Sequence, residues 1–296
     1  MKIDLPPSAH CETMGALVCE FKASVEFASR SKSTKREYLR YLDLILDAFG
    51  DWTFARLQDP TNRAEFKAWR DTMSSTPRKA DYAWTTLARV LSFAKDRGRI
   101  TVNVCERGGR LYRPDRSELV WKDQDLRSFH LVASPKLRLA MQLAFWTGQR
   151  QGDLLKIRWS DYDGRVLRFR QKKTGARVVV PASAKLKQVL DSEPRVATTI
   201  LTGVRGNTWT SDGFRTEWRK ACKKAGIEGL TFHDLRGTAV TRLALSGCST
   251  SQIAAITGHS LKDVESILDA HYLGGKIELA KQAVARFEAT TGWPET

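Results

Sequence analysis

The chain has 296 residues, of which 42% are hydrophobic, and 49 Lys and Arg against 33 Asp and Glu give it a formal net charge of +16. This length suits two domains that each bury a core, and such a composition excludes an intrinsically disordered chain. No apolar stretch approaches the roughly 20 residues that a membrane-spanning helix needs, while the positive charge favours a polyanionic partner, either nucleic acid or an anionic membrane surface.

The first half of the chain predicts a small helical bundle. Apolar residues recur at helical spacing in four segments, at 12–28, 33–50, 62–73 and 79–96. Ser33 or Thr34 is expected to cap the second of these helices, and Gly50 to end it. Two basic residues, Arg78 and Lys79, stand at the start of the fourth.

The helical pattern is interrupted at about 102–117, where Gly108-Gly109, Pro114 and several arginines follow one another. Glycine and proline are typical of connecting segments, so this stretch is interpreted as a linker. We therefore expect a helical domain at 1–113 and a second domain at 118–296.

The second half predicts a mixed but mostly helical domain. Helices are expected at 121–131, 135–147, 153–159, 212–225, 233–246, 249–257 and 261–270, with an amphipathic tail helix at 276–289. Two runs rich in β-branched residues, 166–170 and 177–180, flank the basic segment 172–176, which predicts a hairpin with a basic tip. The expected fold class is mainly α with a small β-hairpin (α+β).

The cysteines predict neither disulfide bonds nor a zinc site. There are five, at 11, 19, 105, 222 and 248, an odd number without a C-x-x-C spacing. Free thiols fit a reducing cytoplasm, and the first residues, with Asp4 and Pro6-Pro7, are not typical of a signal peptide. We expect a cytoplasmic protein.

Two arginines are candidates for holding a phosphate group. The planar guanidinium donates two parallel hydrogen bonds and stays charged at any working pH, which suits the non-bridging oxygens of a phosphodiester. Arg150 follows Thr147-Gly148-Gln149, where a helix is expected to stop. Arg236 follows His233 by three residues at an expected helix start, so both side chains lie on one face.

Two histidines are further candidates. His233 is suited to hydrogen-bonding a phosphate oxygen or exchanging a proton. His259 follows Thr257-Gly258 between two short helices, where a neutral or protonated imidazole could donate to the same phosphate.

Lys173, in the sequence Lys173-Thr174-Gly175, lies at the predicted hairpin tip. A lysine there could donate a proton to a departing 5′ oxygen as a general acid. Its neighbour Lys172 competes for the role. Lys172 and Arg177, like Arg78 and Lys79, are predicted to contact DNA.

Tyr272 is the candidate nucleophile. It is the only tyrosine C-terminal to His259. Its attack on a phosphodiester would give a 3′-phosphotyrosine and a free 5′ hydroxyl, so the bond energy is kept in the covalent link and rejoining needs no ATP. A phenol needs a neighbouring base and a strongly electrophilic phosphate for this step.

These residues, in this order, resemble the active site of the tyrosine recombinase (phage integrase) family. The resemblance covers roughly 121–290. It implies that the arginines and histidines clamp the phosphate, that Lys173 is the general acid and that Tyr272 attacks. It also implies a structural role for Asp153 in the region of Arg150.

One spacing departs from the pattern. The interval from His259 to Tyr272 is longer than the family's commonest spacing by about one helical turn, and some phage-type members show a similar stretch.

The resemblance further implies double-stranded DNA with specific recombination sites as substrate, and a homotetramer assembled through the C-terminal tail. DNA-bending accessory proteins are possible partners, and neither a cofactor nor a metal is expected. The helical first domain resembles the family's core-binding domain more loosely.

Three alternatives remain open at this point. A type IB topoisomerase shares the chemistry but relaxes supercoils as a monomer. A basic DNA-binding protein could keep the motif residues without activity and would bind DNA in a salt-dependent way. A metalloenzyme is less favoured, because no Asp, Glu and His cluster has metal-ligand spacing.

Overall fold

The computed structural model describes residues 12–112, 119–203 and 206–271, together with 280–281, 284–286 and 288. The chain divides into two compact units, Met1–Pro114 and Asp115–Thr296. The predicted tail helix at 276–289 lies for the most part outside the described residues. Among those described, no helix is both long enough and apolar enough to cross a membrane.

The first unit is helical throughout its described part. Its helices are α1 (Met14–Ala23), α2 (Val25–Ala28), α3 (Lys32–Phe49), α4 (Phe54–Gln58), α5 (Arg63–Asp71) and α6 (Pro77–Asp96), with a short 3₁₀ turn at Pro60–Asn62. The long helices α3 and α6 pack together. Beside them, Phe49 of α3 meets three other rings edge to face, those of Trp52, Phe66 and Trp69. This aromatic cluster forms part of the core of the unit.

Helix boundaries in the first unit differ from the predicted ones because of local caps. The segment predicted as one helix at 12–28 breaks at Ser24, whose extended backbone lets its side chain accept the Phe27 N–H. Helix α3 is capped by Ser31, rather than by Ser33 or Thr34. Helix α6 begins at Pro77, since proline has no N–H to leave unpaired at the first helical position.

The end of the first unit is held by a buried ion pair. Arg70 is only 2% exposed; its Nη2 lies 2.5 Å from the Asp81 carboxylate, and its Nη1 donates to the Gly108 carbonyl. Asp81 also accepts the backbone N–H groups of Leu111 and Tyr112, both at 2.9 Å. The described part of the predicted linker, 102–112, therefore packs on this unit.

The second unit contains further helices and a hairpin. Its elements are α7 (Asp123–Val132), α8 (Pro135–Thr147), α9 (Gln151–Leu154), β1 (Val166–Arg170), β2 (Arg177–Pro181), α10 (Ala184–Ser192), α11 (Ser211–Lys224), α12 (Asp234–Leu245), α13 (Thr250–Thr257) and α14 (Leu261–His271), with a 3₁₀ turn at Trp159–Asp161. Strands β1 and β2 pair antiparallel, from Val166 opposite Pro181 to Arg170 opposite Arg177. The described part of the chain is mostly helical with one small sheet, which confirms the predicted fold class.

The core of the second unit joins α7, α8, α11 and α12. Trp121 is fully buried and contacts Phe129 of α7 and Trp218 of α11. Its backbone N–H donates to Thr238 of α12. Helix α7 consequently begins at Asp123, two residues later than predicted.

Two other predictions in this unit were inaccurate. Helix α9 ends at Leu154, and the rest of the helix predicted at 153–159 is replaced by a bridge between Arg158 and Thr199 and by the 3₁₀ turn. Helix α10 was not predicted, although Ser183 caps it and Leu186 and Leu190 are both fully buried one turn apart.

A candidate active site built on two arginines

Five of the six candidate catalytic residues line one cleft of the second unit. The cleft has a volume of about 620 Å³, and its lining includes Arg150, Lys173, His233, Arg236 and His259. Four separate stretches of sequence supply these side chains. The sixth candidate, Tyr272, lies outside the described residues; α14 ends one position before it, at His271.

Arg150 reaches the cleft because α8 stops abruptly before it. Gly148 ends α8 with a left-handed backbone (φ 60°), and a side chain there would meet Thr257 Cγ2 at 2.7 Å. Arg150 then has an extended backbone just before α9. Its Nη1 donates to Gln171 Oε1 at 2.7 Å, so the guanidinium is held by the hairpin.

Arg236, in the first turn of α12, forms the buried floor of the cleft and is 4% exposed. Its Nη1 donates to the carbonyls of Gly148 and Thr257. The Nη2 group is buried without a hydrogen-bond partner among the described residues. Burial, with the charge of Arg150 nearby, lowers the pKa of Arg236 to about 9, so the side chain remains a cation at neutral pH.

His259 holds Arg236 in place. Its Nε2 lies 2.9 Å from Arg236 Nε, which donates to it, and its Nδ1 lies 2.9 Å from Thr257 Oγ1. The Thr257 hydroxyl donates to the Ile253 carbonyl, so the ring proton is on Nδ1. Burial, followed by the charges of Arg236 and Arg150, lowers the pKa of His259 to about 3. The ring is neutral, and both nitrogens are engaged; donation to a phosphate stays a prediction.

His233 and Lys173 lie at the exposed rim of the cleft. His233 is the residue immediately before α12. Lys173 lies in the turn between β1 and β2, where Gly175 has a left-handed backbone (φ 73°). Its neighbours Lys172 and Arg177 are exposed on the same hairpin.

Asp153 connects α9 to the hairpin. Its Oδ1 accepts the Lys172 backbone N–H at 2.9 Å, while Oδ2 is buried without a partner among the described residues. Asp263, which the sequence did not single out, also lines the cleft; hydrogen bonding by Ser260 lowers the pKa of its carboxyl. Its only signal in the sequence was its place four residues after His259.

The remaining predicted DNA contacts belong to the other unit. Arg78 is exposed in the first turn of α6, with its guanidinium 4.4 Å from the centre of the Tyr112 ring, and Lys79 is half-buried. Across the described residues, no group of His, Cys, Asp and Glu is placed to hold a metal ion.

Fold and site together define a mainly helical domain with two arginines in one cleft. Residues 127–270 match the model of the phage integrase family. A shufflon-specific DNA recombinase of Escherichia coli is 35% identical over 128 residues, which are 42% of this chain and 32% of the relative. The integrase of Escherichia phage lambda is 30% identical over 167 residues, 51% of this chain and 47% of its own. The chain thus spans less than half the length of these curated relatives.

Solved structures show the same fold over most of the chain. Lambda integrase residues 75–356 bound to DNA align with a TM-score of 0.68 and 25% identity, over 84% of this chain and 92% of that one. A lambda integrase tetramer bound to a Holliday junction aligns with a TM-score of 0.73 and 22% identity, over 86% and 78%. The comparisons therefore confirm the resemblance to the phage integrase family, whose model matches residues 127–270.

Proposed function

We propose that this protein is a site-specific DNA recombinase, an integrase, that cuts and rejoins DNA strands through a 3′-phosphotyrosine at Tyr272. The match to the phage integrase family model and the activities named for the similar proteins support this activity. The proposed reaction needs no ATP, because the bond energy of the cut strand is kept in the phosphotyrosine. It is proposed to need no metal, because the arginines supply positive charge to the phosphate oxygens.

The observation that carries the proposal is Arg236 Nη2, which is buried without a hydrogen-bond partner among the described residues. A buried donor without a partner costs about 1–3 kcal/mol, so its persistence on the floor of a cleft calls for an acceptor that arrives with the substrate. A non-bridging phosphate oxygen is such an acceptor. Arg150, His233 and Lys173 line the same cleft, so a phosphodiester there meets cations and donors from several directions.

The proposed chemistry uses these groups in a balanced step. The Tyr272 oxygen attacks phosphorus and its proton passes to His233 at the rim. The bond between phosphorus and the 5′ oxygen breaks, and Lys173 supplies the proton that this oxygen takes up. Arg150 and Arg236 stabilise the extra charge of the pentacovalent transition state. Rejoining is the reverse step with a 5′ hydroxyl from the partner strand.

The proposed substrate is double-stranded DNA carrying specific sites, in keeping with the net charge of +16. Arg78, Lys79, Lys172 and Arg177 are proposed to contact its backbone. By analogy with the tetramer solved for lambda integrase, we propose a tetramer joined through the C-terminal tail, with DNA-bending proteins as accessory partners, acting on DNA in the cytoplasm.

The test is covalent capture. Labelled DNA fragments from the region flanking the gene are incubated with protein in EDTA and the reaction is stopped with SDS. We expect protein-linked DNA with the wild type and none with Tyr272→Phe. Tyr162→Phe is the matched control, since the Tyr162 hydroxyl is bonded to Asp191 and is not among the groups lining the cleft; it should form adduct like the wild type.

Other outcomes select the alternatives. Relaxation of supercoiled DNA without strand exchange between two sites would favour a type IB topoisomerase. Tight, salt-dependent binding without adduct to any fragment would favour a DNA-binding protein without activity. Equal adduct from wild type and Tyr272→Phe would show that another residue is the nucleophile.

A further inference from the structure

Two buried glutamines lie behind the cleft, and neither was singled out from the sequence. Gln171, just after β1, is fully buried, and Gln149, just before Arg150, is 1% exposed. Neither is among the residues that line the cleft. A buried primary amide is costly unless its hydrogen-bonding groups are paired, so their partners indicate what they do.

Every hydrogen-bonding position of the Gln171 side chain is used. Its Oε1 accepts from Arg150 Nη1 at 2.7 Å and from Thr174 Oγ1 at 3.0 Å. Its Nε2 donates to Gln149 Oε1 at 2.7 Å and to the Thr257 carbonyl at 2.9 Å. An amide has two donor hydrogens and two acceptor lone pairs, so the side chain is fully satisfied.

Gln149 determines which way the Gln171 amide faces. Gln149 Nε2 donates to the carbonyls of Thr147 and Ile256, which leaves its Oε1 as an acceptor. Gln171 must therefore present its NH₂ group to Gln149 and its oxygen to Arg150. A reversed amide would bring two acceptors together and turn two donors towards the guanidinium.

The same network connects the two arginines of the site. The Thr257 carbonyl accepts from Gln171 Nε2 at 2.9 Å and from Arg236 Nη1 at 2.7 Å. Arg150 is thus joined to Arg236 through one amide and one carbonyl oxygen. Thr174, which also donates to Gln171, is the neighbour of Lys173, so the loop that carries the predicted general acid is held by the same amide.

A neutral amide at position 171 leaves the charge of Arg150 available, whereas a carboxylate would neutralise it. A glutamate at 171 would pair with Arg150 as an ion pair, and its second oxygen would face Gln149 Oε1 and the Thr257 carbonyl without a proton between them. This ion pair would neutralise the charge of Arg150 inside the protein. Glutamine orients the guanidinium and leaves its charge for an external anion.

We infer that Gln171, oriented by Gln149, is a positioning residue. It fixes the position of Arg150 relative to Arg236 and to the Lys173 loop, and it does so without neutralising the charge of Arg150. The inference rests on the proposed function only for the identity of the anion, a phosphodiester. The arrangement itself predicts how any tetrahedral oxyanion binds in the cleft.

The experiment compares Gln171→Glu and Gln171→Met with wild type, each as the full chain. Methionine has nearly the shape of glutamine and adds no charge, so it carries the test if the glutamate variant fails to fold. The control is Gln188→Glu, the same change on the exposed face of α10. Inorganic sulfate is the probe, since its charge is constant over the pH range used, and binding is followed by the ¹⁵N signals of the arginine side chains. Adduct formation on DNA is measured in parallel.

At pH 8 we expect sulfate affinity to fall about tenfold or more in both Gln171 variants and to be unchanged in the control. Adduct formation should fall by roughly 10- to 100-fold. Lowering the pH should restore binding in Gln171→Glu, as its carboxyl takes a proton and ceases to neutralise Arg150, but not in Gln171→Met. A merely structural role would not produce that difference.

The charged and titratable groups near position 171 are Arg150, Arg236, Asp153 and His259, with the chain neighbours Arg170, Lys172 and Lys173. His233 lines the same cleft. All of these groups are the same in every variant. Wild-type sulfate affinity and adduct yield in both Gln171 variants would overturn the inference. A gain in sulfate affinity at low pH that is no larger in Gln171→Glu than in Gln171→Met would also overturn it. Loss of sulfate affinity in the variants, with no adduct from wild type on any DNA, would uphold the inference and count against the proposed function. The two failures are thereby distinguished.

Discussion

Replacing Gly258 by alanine tests how tightly the arginine network is packed. Gly258 ends α13 with a left-handed backbone, φ 66°. A Cβ atom there would lie 2.3 Å from Gln171 Nε2 and 2.7 Å from Val178 Cγ2. Both distances are well below contact, so either the amide must leave its partners or the hairpin must move away from α13.

The expected loss of stability has two parts. An alanine in the left-handed region costs about 1–2 kcal/mol, and overpacking of a well-filled site costs typically about 1–3 kcal/mol more. The sum, about 2–5 kcal/mol, is a large part of the roughly 5–15 kcal/mol that stabilises an ordinary domain.

Gly226→Ala separates the two parts. Gly226 also has a left-handed backbone, φ 69°, just after α11, but a Cβ atom there would meet nothing within 4 Å. We expect urea unfolding to show only the backbone cost in Gly226→Ala and a further loss in Gly258→Ala, at similar dependence on denaturant. Gly258→Ala should also lose sulfate affinity, and Gly226→Ala should keep it.

Equal destabilisation by the two substitutions would refute the reasoning, because the clash with Gln171 would then have no energetic effect. Normal sulfate affinity in a destabilised Gly258→Ala would also refute it, since the amide would have moved without disturbing Arg150.

Three further predictions concern charged groups. Arg236→Lys should lower adduct formation by roughly a hundredfold or more, because one ammonium cannot replace a guanidinium that bonds three internal acceptors and keeps Nη2 for the substrate. Burial lowers the pKa of His259 in the folded protein to about 3. The free energy of unfolding should therefore fall as the pH drops from about 6.5 towards 3, by at most about 1.4 kcal/mol per pH unit. His259→Gln should remove this part of the acid sensitivity in urea unfolding. Asp81→Ala should destabilise the first unit by about 3 kcal/mol in thermal or urea unfolding, since it leaves the 2%-exposed Arg70 without its ion-pair partner.

Each of these has a control with the same chemical change. Arg242→Lys, on the same helix as Arg236 but paired with Asp123, should keep adduct formation; equal loss in both would contradict a specific role for Arg236. His130→Gln, on the exposed face of α7, should leave the acid sensitivity unchanged. An unaltered acid sensitivity in His259→Gln would count against the lowered pKa of the buried His259 ring. Glu65→Ala breaks an exposed pair and should cost at most about 1 kcal/mol; a similar loss in Asp81→Ala would show that burial of Arg70 is not costly.

Most helices and both strands could be predicted from local patterns in the sequence. The αL stop at Gly148, the paired runs of β1 and β2 and the apolar stripe of α6 could all be predicted, because each depends on residues within a few positions of one another. Helix α10 and the break at Ser24 depend on caps by Ser183 and Ser24. A single serine is a weaker signal in the sequence than a long apolar stripe.

The candidate site was predictable only through the family resemblance. An arginine after a helix stop and a histidine in a loop between helices are both common at protein surfaces. That Arg150 and His259 line one cleft depends on packing between distant segments. Gln171 could not be predicted, because its bonds reach Gln149 and Thr257, 22 and 86 residues away. Nothing in the surrounding strand pattern distinguishes it from a solvent-exposed glutamine at the end of a strand.

The most direct test of the central claim is to locate the bond between protein and DNA. Adduct formed in EDTA is trimmed with nuclease and protease, and the modified peptide is sequenced by mass spectrometry, while the released DNA end is tested for labelling by a kinase. A nucleotide 3′-phosphate on Tyr272 with a free 5′ hydroxyl is the predicted result. A nucleotide on any other residue, or a 5′-linked nucleotide, would contradict the account.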